Sequence, residues 1–295
     1  MNKFKTAGYL NGIVASISYG TNPLFALPMF SRGFGVNSVL FYRYIFAVII
    51  YGLYLKFIKK ISFKISTKEC LSLFIYGIIF SLSSIFLFLA FQYMDSGLAC
   101  TILFAYPIIV ALISKIFFNE RLPKTIILAL IITIIGITLL YEKVTDTVSI
   151  KGIIYVFLSA LSYAIYLVGI KYSKTIKHLK PDKLTFYIMF FGLSVYVWNL
   201  RFCTLLQPLN SIYVFGCALA LAIFPTIISL ETISYAIKFI GPTKTAILGA
   251  LEPLTAIFVG TLIFKEVLTQ RIIIGITLVI LGVIISIAGN NKNNK

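Results

Sequence analysis

Leu248-Gly-Ala-Leu-Glu252-Pro253-Leu-Thr-Ala-Ile-Phe-Val-Gly-Thr-Leu-Ile-Phe-Lys-Glu266 sets a carboxylate beside a proline inside an otherwise apolar run. A hydrocarbon span takes about 20 mostly apolar residues, and a charge at its centre costs roughly 2.5–3.5 kcal/mol on insertion scales. Pro253 has no N–H, so the Gly249 carbonyl is expected to lose its helical partner. Such backbone defects persist at membrane depth only where protein or a water-filled cavity covers them. The segment is therefore expected to line a central cavity, with the other helices arranged to bury it.

The rest of the chain has the composition of a membrane protein. It is 60% hydrophobic and 12% charged, with a mean hydropathy of +1.00, whereas a soluble domain is about half apolar and a quarter charged. Apolar blocks of about 20 residues alternate with short charged or Pro/Gly breaks, the pattern of an all-α bundle and not of a barrel. Ten transmembrane helices are predicted, at about 8–29, 37–57, 68–91, 97–117, 124–141, 150–171, 183–203, 211–236, 243–264 and 270–288.

The net charge of +17 would point to nucleic acid in a soluble protein. Here the cations lie between apolar blocks, and no aromatic-interleaved basic groove appears, so nucleic acid is not an expected partner. With the N-terminus inside, nineteen of the 26 lysines and arginines fall on the inner side. That bias predicts a multi-pass protein of the cell (inner) membrane with both termini cytoplasmic. Four scattered cysteines and a single histidine, His178, give no metal-ligand spacing and imply no cofactor. The absence of a Walker-type glycine loop argues against ATP as the driver.

A shift of 146 residues superposes Pro107 on Pro253, Phe118 on Phe264, Glu120 on Glu266, Leu122 on Leu268 and Gly136 on Gly282. A shift of 144 places Gly8 on Gly152 and Ser18-Tyr19 on Ser162-Tyr163. Residues 1–147 and 148–295 are thus read as two copies of a five-helix unit. Five is odd, so the second copy enters the membrane inverted, a plan that places a binding site at the midplane junction of many secondary transporters.

Leu251-Glu252-Pro253, the apolar run to Lys265-Glu266 and the later Ile280-Leu281-Gly282-Val283 resemble the signature of the EamA family of the drug/metabolite transporter superfamily. The first half is similar at Tyr106-Pro107, Asn119-Glu120-Arg121-Leu122 and Ile135-Gly136, and the second helix carries a comparable arginine-led Arg43-Tyr44-Ile45-Phe46-Ala47. The resemblance implies a ten-helix transporter with inverted halves around a central cavity, usually exporting small metabolites such as amino acids. Tyr106 stands where the second half has Glu252, so the halves offer a substrate different chemistry.

Glu252, about ten residues into its helix and so roughly 15 Å deep, is the first candidate for proton coupling or for receiving a substrate amine; the alternative is a buried structural hydrogen bond. Glu231 is placed to line an inner vestibule or to pair with a lysine. Arg43 reads as shallow enough to snorkel, tying helices together or capturing a substrate carboxylate through its bidentate fork. Tyr19, Thr21 and Asn22 precede Pro23, and Tyr163 holds the position equivalent to Tyr19; all are candidate substrate contacts or interhelical bonds. Tyr106 is a further candidate for substrate contact or coupling; Pro23, Pro107, Pro225 and Pro253 are expected to kink their helices or to serve as gates, and Glu120 and Glu266 to cap the helices that follow them. Gln92 and Asp95 are read as loop or cap residues, and Trp198 as an interfacial anchor.

The leading reading is a secondary transporter working by alternating access. It would export a small polar metabolite, with the lipid bilayer and a small-molecule substrate as partners and protons as the candidate coupling ion; oligomeric state is open. The alternatives are an importer of a sugar-phosphate or nucleotide-sugar solute, for which only Arg43 offers a cavity cation, a lipid flippase, and a membrane-embedded enzyme, for which the nucleophile and base are missing.

Overall fold

The computed structural model describes residues 3–90, 93–94, 99, 102–120, 122–140, 149–264 and 269–288. Among these residues the secondary structure is helical throughout, with no strand. In chain order the elements are α1 (Lys3–Gly20), α2 (Asn22–Phe30), α3 (Val36–Leu53) continued by a π turn (Tyr54–Ile58), α4 (Thr67–Ala90), α5 (Tyr106–Phe118), α6 (Lys124–Leu140) and α7 (Ile150–Tyr172). They continue with α8 (Pro181–Asn199), α9 (Ile212–Ala222), a π segment (Ile223–Ile228), α10 (Ser229–Ile240), α11 (Pro242–Leu248), α12 (Leu251–Phe264) and α13 (Gln270–Ala288). Taking α1 with α2, α9 with α10 and α11 with α12 as interrupted rods gives ten helical segments.

Five of the described helices are long and apolar enough to cross a membrane: Val36–Ile58, Thr67–Ala90, Ile150–Tyr172, Ile212–Ile240 and Gln270–Ala288. Large apolar side chains such as Ile116, Phe117 and Leu262 stand exposed on the outside of the bundle. A soluble protein would put polar groups there, and a bilayer accepts them as they are. Trp198 is exposed near the end of α8, as an interfacial ring should be.

Backbone approaches set the packing. A Cβ on Gly136 would lie 2.8 Å from the Val279 nitrogen, and one on Gly275 would lie 2.8 Å from the Gly136 carbonyl. Helices α6 and α13 therefore cross at glycines, the membrane route to close dispersion contact. Gly8 does the same for α1 against Ile240 of α10. The central core is aromatic, with Tyr44, Tyr51, Phe80, Tyr106, Tyr166 and Tyr196 all buried.

The two ends of the bundle differ. At one end Gln207 accepts from the Gly35 N–H at 2.6 Å and donates to the Gly33 carbonyl at 2.9 Å. The connection after α2 therefore meets the one after α8. At the other end Ser66 and Glu69 form a reciprocal capping box at the start of α4, the Ser66 N–H donating at 2.5 Å and the Glu69 N–H at 3.3 Å. Glu69 Oε1 also lies 2.8 Å from His178 Nε2. Lysines concentrate at this second end, which the sequence predicts to be cytoplasmic.

Candidate functional site

Three helix breaks converge on the interior, each beside a proline. Pro23 falls in the first turn of α2 and Pro107 in the first turn of α5. Pro253 sits in the first turn of α12, after the interruption at residues 249–250. A missing N–H costs nothing in a first turn, where no intrahelical acceptor is in reach. Pro23, Pro107 and Pro253 thus start helices, contrary to the expectation that they kink them. The Gly249 carbonyl is not orphaned either, since it accepts the Glu252 N–H at 2.9 Å. Glu252 therefore occupies the positive end of a half-helix, where a negative or hydrogen-bonding partner is favoured. Pro225 lies in the π segment, which carries an expanded turn and not a simple kink.

Glu252, Tyr19, Tyr106 and Tyr163 meet around a small cavity whose wall is completed by Ser83, Ser84 and Ser159. Its free space is about 20 Å³, room for roughly one water. The Tyr106 and Tyr163 rings stand edge to face with centroids 4.9 Å apart, and the Tyr106 hydroxyl donates to the Ala246 carbonyl at 3.2 Å. A Cβ on Gly20 would come within 2.5 Å of the Glu252 carbonyl, so the end of α1 passes directly against the start of α12. Among the described residues no ammonium or guanidinium pairs with the Glu252 carboxylate. An unpaired acid at this depth is costly unless it meets water, a proton or a ligand.

Arg43 is 2% exposed and does not snorkel as its sequence position suggests. Its Nε donates to Thr226 Oγ1 at 2.5 Å and its Nη2 to the Pro225 carbonyl at 2.9 Å. The π segment makes this possible. Pro225 cannot donate to the Leu221 carbonyl, the Thr226 hydroxyl fills that acceptor at 2.7 Å, and the Pro225 carbonyl in the same expanded turn accepts from the guanidinium. Arg43 thus ties α3 to the α9–α10 rod. Its Nη1 has no hydrogen-bond partner, and its guanidinium carbon lies 5.5 Å from the centroid of the Tyr19 ring. Tyr19 therefore lies near both the Arg43 guanidinium and the Glu252 carboxylate.

Other candidates stand apart from the cavity. Asn22 and Glu231 are not on its wall. Glu231 Oε1 accepts from Lys59 Nζ at 2.9 Å, and the same ammonium donates to Asp182 Oδ1 at 2.7 Å. The Tyr235 hydroxyl reaches both Asp182 oxygens, at 3.1 and 3.2 Å. Burial alone would lower the pKa of Lys59, but its two carboxylate partners raise it above the ordinary lysine value. The Glu120 carboxylate accepts from Tyr172 and Thr243, each at 3.2 Å, and so joins two other helices instead of capping α6. Gln92, Asp95 and Glu266 lie outside the described residues. The serines on α4 and α7 were not singled out from sequence; the Ser81-Leu-Ser83-Ser84 cluster in an apolar helix was the available signal.

A helical bundle with an apolar exterior, interrupted rods and an internal acid defines a multi-pass membrane transporter. The profile of the EamA-like transporter family matches residues 6–142 and again residues 150–288, and the chain belongs to that family. An uncharacterized transporter of Archaeoglobus fulgidus is 30% identical over 197 residues, covering 67% of this chain and 69% of that protein. A second from the same organism is 26% identical over 270 residues, covering 92% and 91%. The uncharacterized transporter YyaM of Bacillus subtilis is 25% identical across 92% of this chain and 91% of its own. One solved crystal structure superposes with a TM-score of 0.79 at 15% identity, covering 98% of this chain and 99% of that one, a likeness of fold.

Proposed function

We propose that the protein is a secondary transporter that exports a small polar metabolite of the amino-acid type by alternating access between two inverted halves. Glu252 is the observation that carries this reading: an unpaired carboxylate at a half-helix start, on the wall of an internal cavity, beside three tyrosines. It binds the substrate amine or exchanges a proton, while the free N–H of Arg43, across Tyr19, is available to a carboxylate. The packing supports the halves, residues 1–147 and 148–295. Helix α1 packs on α10 as α7 packs on α4; α5 packs on α7 as α12 packs on α1; and α4 packs on α8 as the α9 rod packs on α3. The contacts of α3 with α8, α5 with α11 and α6 with α13 are each their own counterpart under the same exchange. The lysine-rich end is the cytoplasmic one, with both termini there.

The test is reconstitution into liposomes with an internal pH-sensitive dye and a panel of amino acids. The Glu252→Gln variant is expected to lose substrate-dependent proton movement, and with it at least tenfold in transport, while remaining folded. Wild-type rates with wild-type pH dependence in that variant would remove Glu252 from the mechanism.

A further inference from the structure

Between the end of α7, the start of α8 and the end of α10 lies a second pocket, of about 310 Å³. Leu179, Leu184 and Ile237 give it an apolar surface, Lys171, Lys177 and Lys238 supply its charge, and among the described residues no carboxylate is on its wall. Neighbouring cations at this end are differently placed. Lys59 is balanced by Asp182 and Glu231, His178 lies against Glu69, and Lys183 donates to the Lys64 carbonyl. Asp182, next to Pro181 in the pocket wall, is committed to Lys59 and Tyr235. Glu120, whose field reaches Lys171, is held by Tyr172 and Thr243 and is not on the wall. Lys171 Nζ donates to the Lys238 carbonyl at 2.9 Å, which fixes one ammonium and leaves it two protons to donate.

Ser234 on the pocket wall adjoins Tyr166, and the Tyr166 ring lies 4.7 Å from Phe80, which lines the central cavity. The Tyr166 and Phe80 rings thus link the surroundings of the two spaces.

We propose that this pocket is the loading vestibule of the transporter and that it selects substrates with net negative charge. The expected substrate is a short organic acid carrying a carboxylate beyond any that its own ammonium balances, such as an acidic amino acid. Three ammonium groups over a low-dielectric floor focus field lines and concentrate an anion, the floor accepts short methylene chains, and Tyr166 is the barrier crossed on entry. A carboxylate that passes it finds the free N–H of Arg43. The inference rests on the transport reading above, and its test separates the two.

Proteoliposomes holding the full chain, with the lysine-rich end facing the loading side, are assayed with an acidic and a neutral amino acid at low and high salt. Wild-type KM for the acidic substrate is expected to lie well below that for the neutral one and to rise roughly tenfold as salt screens the pocket. The triple variant Lys171→Gln, Lys177→Gln, Lys238→Gln should show the high KM already at low salt and a flattened salt dependence, with the loss in KM and not in kcat; the triple Lys→Arg variant should restore it. Equal KM and salt slope in wild type and the glutamine variant would overturn the vestibule while transport itself stands. So would loss of co-purified anionic phospholipid without a change in KM, since the pocket would then hold a lipid headgroup. Absence of transport of any panel member by wild type would instead overturn the transport reading.

Discussion

Gly249 and Tyr106 show how tightly single residues constrain the site. Alanine at Gly249 would drive its Cβ into the Tyr106 hydroxyl and to 3.1 Å from the Tyr106 Cζ, and a ring held between Tyr163 and Phe104 has little room to yield. Gly249→Ala is expected to destabilise the protein by about 1–3 kcal/mol through overpacking. Tyr106→Phe, harmless by itself to within ~1 kcal/mol, should recover part of that loss in the double variant. Thermal midpoints of the four proteins measure the coupling, and strict additivity would show that the two positions do not touch. Arg43→Lys keeps the charge but cannot reach Thr226 and the Pro225 carbonyl with one planar fork. A loss of about 1.5–3 kcal/mol is expected, read as a lowered unfolding midpoint; a midpoint at the wild-type value would remove Arg43 as the tie.

Among elements, the breaks before α2, α5 and α12 and the π segment after α9 do most to place chemistry. Proline positions were legible in the sequence, because a residue without an N–H perturbs a helix wherever it stands. Their consequences were less so. Pro107 and Pro253 fall in first turns, and Pro225 lies in an expanded turn whose carbonyl accepts from Arg43. Which carbonyl finds which donor depends on a helix nearly two hundred residues away, outside any local pattern. The Lys59–Asp182–Glu231 cluster ties α8 and α10 to the residue that follows the π turn of α3. Lys59→Met leaves two carboxylates facing each other without a cation. A maleimide reporter at Ser234→Cys should then label faster from the lysine-rich end, and Lys59→Arg should label at the control rate. Equal rates in all three would show that the cluster is surface decoration, as isolated exposed pairs often are.

For the whole molecule, the two chain ends and the two faces can be tested with reporters already present. Cys203 is exposed in the connection after α8. With Cys70, Cys100 and Cys217 replaced, an impermeant maleimide should reach Cys203 from outside the cell. In a background without any cysteine, Lys177→Cys should react only from inside. Labelling of both from one face would overturn the alternation of the ten segments.

Composition and hydropathy alone pointed to an all-helical membrane protein, placed its described helical segments to within a few residues, and singled out Glu252 as a costly residue inside an apolar run. Each is a local property, since a segment's transfer free energy is a sum over its own side chains. Tertiary structure alone decided that Glu252 meets Tyr19, Tyr106 and Tyr163, that Arg43 turns inward, that Glu231 belongs to an ion cluster, and that three lysines rim a pocket with no acid among its described wall residues. Those outcomes depend on the rotation and crossing of helices about one another. Close-packed small residues and paired backbone groups fix that geometry, and hydropathy does not encode it.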